Sequence, residues 1–313
     1  MPFVPKKQVF HANIREVTVG VGEKAMTLGG QRVMALHAFD GEINNTPKIG
    51  VEITDSMMEQ DAVAGLREYY RGCHTMAELA RRAGEMEGAD FLCLHFAGAD
   101  PNGQNRSVEK CAEMAAEVAE ATELPLVILG CKHAEKDAAL FARLAERLQG
   151  RNVLFLSAVE ENYREVAKAV LPYGRKVGAE SAVDVNLAKQ LNAVMIQSGV
   201  EEGSIVMNVG SAAAGYGLEY VLSTMDRIRD AALRQGDGLL QMPMIVPVST
   251  EAWAVKEAMA SEEEMPAWGS REERGAAMEI TAAGAVLASG ADAVILRHPE
   301  AVRAVAKMIG ALA

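Results

Sequence analysis

The sequence predicts a (β/α)8 TIM barrel with an N-terminal β-hairpin extension, and three observations predict it. From residue 49 onward, eight short apolar, β-branched runs alternate with longer helical patterns. The runs are apolar almost throughout, as strands are when a parallel sheet buries both of their faces. Eight strand–helix units over about 250 residues match the barrel in count and size. A doubly wound open sheet is the competing architecture, but no G-x-G-x-x-G follows the first run.

The elements follow in order. Residues 1–48 stand outside the count as an extension, and 49–313 form the barrel. In the extension, "REVTVG" and "RVMALHAF" flank a glycine-rich segment and predict a hairpin, a shape that can plug the bottom of a barrel. The first four strands are "IGVEIT" (49–54), "FLCLHF" (91–96), "LPLVILG" (124–130) and "NVLFLS" (152–157). The second four are "KVGAES" (176–181), "SIVMNVG" (204–210), "PMIVPVS" (243–249) and "ADAVILRH" (291–298). Helical stretches follow each, as in "EKDAALFARLAERLQG" (135–150) and "SVEKCAEMAAEVAEAT" (107–122). In the latter, Val108, Cys111, Ala115 and Val118 recur at three- and four-residue spacing, an amphipathic stripe. Residues 54–72 and 259–273 read as long loops.

Composition narrows the function. Half of the 313 residues are hydrophobic, 24% are charged, and the formal net charge is −12. Such an acidic surface repels phosphate backbones, which argues against nucleic acid as a partner. No apolar run approaches the roughly 18 residues of a membrane span, and "MPFVPKKQVF" has no apolar core of a signal peptide. A cytoplasmic protein without membrane partners is expected. Cys73, Cys93, Cys111 and Cys131 are far apart in sequence and form no C-x-x-C, which argues against an iron–sulfur cluster or zinc site on this chain. The six histidines form no H-x-x-H pair, there is no G-x-S-x-G, and no strand carries a lysine placed for a Schiff base.

In a barrel of this kind, function lies in the loops after the strands. Polar groups gather there. "DVNLAKQLN" follows strand five, placing Asp184 and Asn186 at the mouth, while Leu187, Leu191, Val194 and Met195 make the stripe that faces the sheet. Lys189, Gln190 and Asn192 fall off that stripe, toward solvent or a partner. Asp184 also fits a helix N-cap, a common use of Asp at such a position. After strand six, Asn208, Gly210, Ser211, Gly215, Tyr216 and Gly217 lead into a helix, where small residues and free N–H groups favour a ligand bearing phosphate or amide groups. Arg297 and His298 end strand eight, where barrels often bind phosphate. Trp253 and Trp268 lie in long loops near the mouth and are candidate interface anchors.

Taken in order, "FDGEINNTPKIGVEITD", "GADPNGQNRSV", "GCKHAEKD", "ENYR", "DVNLAKQLN", "GYGLEY", "EAWAVKEA", "PAWGSREERG" and "RHPEAV" span about residues 39 to 302. With this set the chain resembles the small (delta) subunit of the corrinoid iron–sulfur protein of the acetyl-CoA decarbonylase/synthase system. The resemblance implies a TIM barrel paired with a large (gamma) subunit that carries the iron–sulfur cluster, with a cobamide (corrinoid) shared at their interface. It implies a methyl carrier between a methyl-pterin methyltransferase and CO dehydrogenase/acetyl-CoA synthase in the reductive acetyl-CoA pathway. Asp184, Asn186, Asn208, Gly210, Ser211, Gly215, Tyr216, Gly217, Arg297 and His298 are then the expected cobamide contacts. The family usually has Asp-Pro and a glycine pair after strand six; here "NVGSAAAGYG" stands instead. The alternative is a pterin-dependent corrinoid methyltransferase on the same barrel, with Asp100, Asn102, Asp184 and Asn186 around the pterin. An unrelated barrel lyase or aldolase lacks support, for want of a metal set or Schiff-base lysine.

Overall fold

The structure, a computed structural model, describes residues 6–34, 36–56 and 63–312. Two strands, β1 (Val17–Val19) and β2 (Met26–Leu28), pair antiparallel with Val17 opposite Leu28. Eight more form one parallel sheet: β3 (Lys48–Thr54), β4 (Phe91–His95), β5 (Leu126–Leu129), β6 (Leu154–Ala158), β7 (Lys176–Glu180), β8 (Ile205–Asn208), β9 (Ile245–Pro247) and β10 (Ala293–Leu296). Their order is β8-β7-β6-β5-β4-β3-β10-β9. The remaining seam, β8 to β9, closes through a parallel bridge between Met207 and Met244 and the hydrogen bond from Met207 N to the Pro243 carbonyl, 2.8 Å. The ring is complete, as the eightfold period predicts.

The helices are α1 (Ala64–Tyr69), α2 (Met76–Ala83), α3 (Val108–Ala121), α4 (Ala134–Arg147), α5 (Tyr163–Val170), α6 (Val185–Gln197), α7 (Leu218–Leu233), α8 (Val248–Ala252), α9 (Lys256–Met259), α10 (Arg271–Ala288) and α11 (Pro299–Leu312). Residues 57–62 of the expected loop 54–72 lie outside the described residues, and α1 occupies much of the rest.

Strand residues alternate between two apolar clusters, because successive side chains point to opposite faces. Phe91, Cys93, Val127, Leu129, Leu154, Leu156, Val206, Ile245, Ala293 and Ile295 fill the barrel, and Val17, Val19, Met26 and Leu28 of the hairpin belong to the same cluster. Asn152, just before β6, donates to the carbonyls of Thr18 and Gly20 at 2.9 and 3.0 Å. The hairpin therefore plugs the end where strands begin and leaves the opposite end open. The pairing differs from the expected one: β2 is Met26–Leu28, and none of the described residues of "RVMALHAF" forms a strand. The turn is made at Gly20 and Gly22, so the chain reverses earlier than the glycine-rich run as a whole suggests. A buried Arg229–Asp292 pair, with Gln31 donating to the same carboxylate, ties the extension to the strand-start end.

Candidate functional site at the barrel mouth

The inward phase of five strands carries a polar residue at the open end. Glu52 shares its phase with Gly50 on β3, His95 with Phe91 and Cys93 on β4, Glu180 with Gly178 on β7, and Asn208 with Val206 on β8. Beyond β10 the same phase leads to Arg297. The strands thus turn from an apolar interior to a ring of charged and amide groups over their last residues.

One side of this ring opens into a cavity of about 330 Å³. Leu129 and Leu156 form its apolar base, and Ser157, Glu180, Asn208 and Asp137 its polar wall. Register slips at the end of β6, between Phe155 and Ala158, so that Leu156 and Ser157 both reach the cavity, as an irregular strand end allows. Asn208 donates through Nδ2 to Ser157 Oγ at 2.9 Å and to Glu180 Oε2 at 3.2 Å, and its Oδ1 accepts from Gly210 N at 3.0 Å. Asp137, in the first turn of α4, accepts from Cys131 N at 2.7 Å. It lies so close to the end of β5 that a Cβ at Gly130 would meet its carboxyl carbon at 2.4 Å, so glycine is required there. Burial raises the pKa of both Glu180 and Asp137, partly offset by hydrogen bonds from Ser157 and from the Cys131 backbone respectively. Burial and the Asp137 charge push the Cys131 thiol up to about 12, so it is a neutral donor and not a nucleophile. Lys132, paired with Glu251 at 3.0 Å, is the cation that lines the cavity; Asp137, Glu161, Glu180 and Glu251 are its acids.

The other side of the ring is closed on itself. His95 Nδ1 lies 2.6 Å from Glu52 Oε1, and Arg297 Nη2 3.1 Å from Glu52 Oε2. Burial alone would raise the Glu52 pKa, but Arg297 and the contact with His95 outweigh it and hold the carboxyl below the usual range. His298 Nε2 lies 2.9 Å from Glu272, and the backbone N–H groups of Arg297 and His298 both donate to buried Glu279.

The predicted site residues separate into groups. Asn208, Gly210 and Ser211 line the cavity. Gly215, Tyr216 and Gly217 lie farther out in the same loop; Tyr216 is 52% exposed and its hydroxyl lies 2.8 Å from Glu257. Asp184 is the N-cap of α6, accepting from Asn186 N at 2.7 Å and Leu187 N at 3.0 Å, and both Asp184 and Asn186 are exposed outside the cavity wall. Arg297 and His298 lie at the rim, each against a carboxylate, Glu52 and Glu272 respectively. Trp268 is 42% exposed, but Trp253 is only 6% exposed: α8 turns its ring onto Gly275 and to 5.8 Å from His298, so it packs the interior and is no exposed anchor. Asp100 and Asn102 bond to each other in a turn and do not line the cavity. The buried stripe of α6 is Ala188, Leu191, Asn192 and Met195; Asn192 is fully buried, donating to the Leu239 carbonyl at 2.8 Å, where the sequence pattern expects solvent.

Glu52, Glu180 and Asp137 were not among the expected site residues. The signal for the first two is a carboxylate inside an apolar strand run, "IGVEIT" and "KVGAES", which has no reason to be there unless its partners are across the barrel. Asp137 carries no such mark, since Asp in a helix's first turn is ordinary. Among the described residues no group of three or more His, Cys, Asp or Glu is placed to hold a metal ion, and none of the helices is long and apolar enough to cross a membrane.

Comparison with known proteins places this geometry in context. A family model described as CO dehydrogenase/acetyl-CoA synthase delta subunit matches residues 16–309. The acetyl-CoA decarbonylase/synthase complex subunit delta of Archaeoglobus fulgidus is 30% identical, over 99% of this chain and 71% of its own length. The corresponding subunit of Methanothermobacter thermautotrophicus is 32% identical, over 96% of this chain and 76% of its own. Among solved structures, a dihydropteroate synthase from Xanthomonas albilineans with 4-aminobenzoic acid shares the barrel fold, with a TM-score of 0.60 and 15% identity over 95% of this chain and 98% of that one.

Proposed function

The chain belongs to the CO dehydrogenase/acetyl-CoA synthase delta subunit family, and from that premise we propose that it lends one face to a cobamide that carries a methyl group within an acetyl-CoA decarbonylase/synthase complex. Its partner is a large (gamma) subunit bearing the corrinoid domain and the iron–sulfur cluster. A methyl-pterin methyltransferase supplies the methyl group, and CO dehydrogenase/acetyl-CoA synthase receives it. The observation that carries this reading is the family match itself, which runs from the hairpin to the last helix.

The residues present fit a cobamide lying over the mouth and not within it. The cavity is small even among ligand pockets, which span roughly 300–1,000 Å³, and a corrin macrocycle cannot enter it. Around the open end, the loops after β8 and β9 expose Tyr216, Met259 and Trp268, and Tyr220 stands exposed in the first turn of α7. Broad apolar groups of this kind suit the flat face of a macrocycle. Gly210, Ser211, Gly215 and Gly217 let it approach the backbone, and exposed Asp184 and Asn186 offer acceptors to its amide arms. His95 and His298 are held by Glu52 and Glu272, so on this reading the chain lends the cobamide a face. Methyl carriage on cobalt is the chemistry the cobamide supplies when bound.

The test is reconstitution. The chain mixed with its large subunit and cobamide should elute as one 1:1 species carrying the corrinoid absorption. Two separate species at micromolar concentration would contradict the pairing.

A further inference from the structure

The chain between residues 256 and 270, after β9, carries Met259 and Trp268 at the mouth yet has almost no core of its own: within it only Ala258 and Ala260 are buried. A segment with so few buried apolar contacts opens locally at little cost unless hydrogen bonds hold it. Here they come from the first turn of α10. Arg271 donates through Nε to the Ala258 carbonyl at 3.3 Å, through Nη2 to Met259 Sδ at 3.3 Å, and through its backbone N–H to Glu262 Oε1 at 2.8 Å. Arg274 donates through Nη2 to the Ala260 carbonyl, and its guanidinium lies 5.8 Å from the centre of the Trp268 ring. Hydrogen bonds with a charged partner outweigh neutral ones, and a cation over an indole face adds to them. The base is firm, since α10 buries Ala276, Glu279, Ala283 and Leu287 along its length. Tyr216 joins from the loop after β8, where its hydroxyl donates to Glu257 at 2.8 Å. Tyr216, Met259 and Trp268, from two loops, are thus tied to one segment that two arginines hold down.

We propose that Arg271 and Arg274 are positioning residues for the cobamide face: they hold the loop after β9 in the shape that sets Met259 and Trp268 toward the macrocycle. The role rests on the cobamide reading above. It acts through the loop, so neither guanidinium has to touch the cobamide. A loop held in advance is not ordered at the moment of binding, and the entropy of ordering it is then not subtracted from the affinity.

Two measurements test this. The first is amide hydrogen exchange on the full chain alone, without large subunit or cobamide. Arg274→Ala should speed exchange across residues 256–270 about tenfold or more and leave the strands unchanged. The second is cobamide retention by the reconstituted pair, where the same variant should lose about tenfold in affinity. Arg274→Lys keeps a cation and a donor and should restore most of both, which a merely space-filling role would not predict. Arg271→Ala serves as the second variant if Arg274→Ala fails to fold. Unchanged exchange in a folded alanine variant, or faster exchange with undiminished cobamide retention, would overturn the role while the cobamide reading stands. A wild-type pair that retains no cobamide would overturn that reading and this role with it.

Discussion

Asp184 shows how one side chain can satisfy two descriptions that the sequence alone leaves joined. Its carboxylate caps α6 through Asn186 N and Leu187 N, yet it also stands exposed at the end of the barrel where ligands meet the fold. Asn186 separates the roles, because only its backbone takes part in the cap. Asp184→Ala should lower stability by about 1 kcal/mol through the lost cap. Asn186→Ala should leave thermal unfolding unchanged and weaken cobamide retention in the reconstituted pair; retention equal to wild type would confine this corner to capping. The cap was legible because Asp before an apolar-periodic stretch has a local cause. The burial of Asn192 was not, since its partner, the Leu239 carbonyl, is supplied by a turn 47 residues away. Asn192→Ala should strand that carbonyl and cost about 1–3 kcal/mol in urea unfolding.

At the scale of elements, the strands were readable to within a residue or two, because β-branched runs buried on both faces leave a continuous apolar trace. The hairpin was less so. Three-residue strands carry too few side chains to show a period, and only the packing of Val17, Val19, Met26 and Leu28 into the barrel selects Met26–Leu28 as the partner of β1. Leu28 is 1% exposed in that plug. Leu28→Ala should therefore cost about 2–5 kcal/mol in chemical unfolding while leaving ligand binding at the opposite end unaltered in the folded protein. A loss under about 1 kcal/mol would mean that the plug is not part of the cooperative core. The same reasoning explains Trp253: α8 is five residues long, too short to announce itself, yet it decides whether the indole faces partner or core.

For the whole molecule, the buried acids set a pH dependence. Glu279 is raised from 4.5 to about 7 by burial, with the N–H groups of His298 and Arg297 opposing. A carboxyl whose folded pKa lies above its unfolded value favours the folded state while protonated, so its contribution is full below about 4.5 and is lost as pH rises toward 7. The swing is on the order of 3 kcal/mol. Glu180 and Asp137 shift in the same direction. Urea unfolding should show wild-type stability declining between pH 5 and pH 8, and Glu279→Gln should flatten that decline; parallel curves would show that Glu279 does not titrate in this range.

On the reading proposed above, this barrel completes a cobamide site which its large subunit cannot complete alone. Cobamide affinity of the large subunit, measured by corrinoid absorption after gel filtration with and without the chain, addresses it most directly. Retention near one cobamide per heterodimer is expected, with a loss of at least tenfold in affinity, about 1.4 kcal/mol, when the chain is omitted or when Tyr216 and Trp268 are both replaced by alanine. Equal retention by the large subunit alone, with the chain bound or absent, would contradict it.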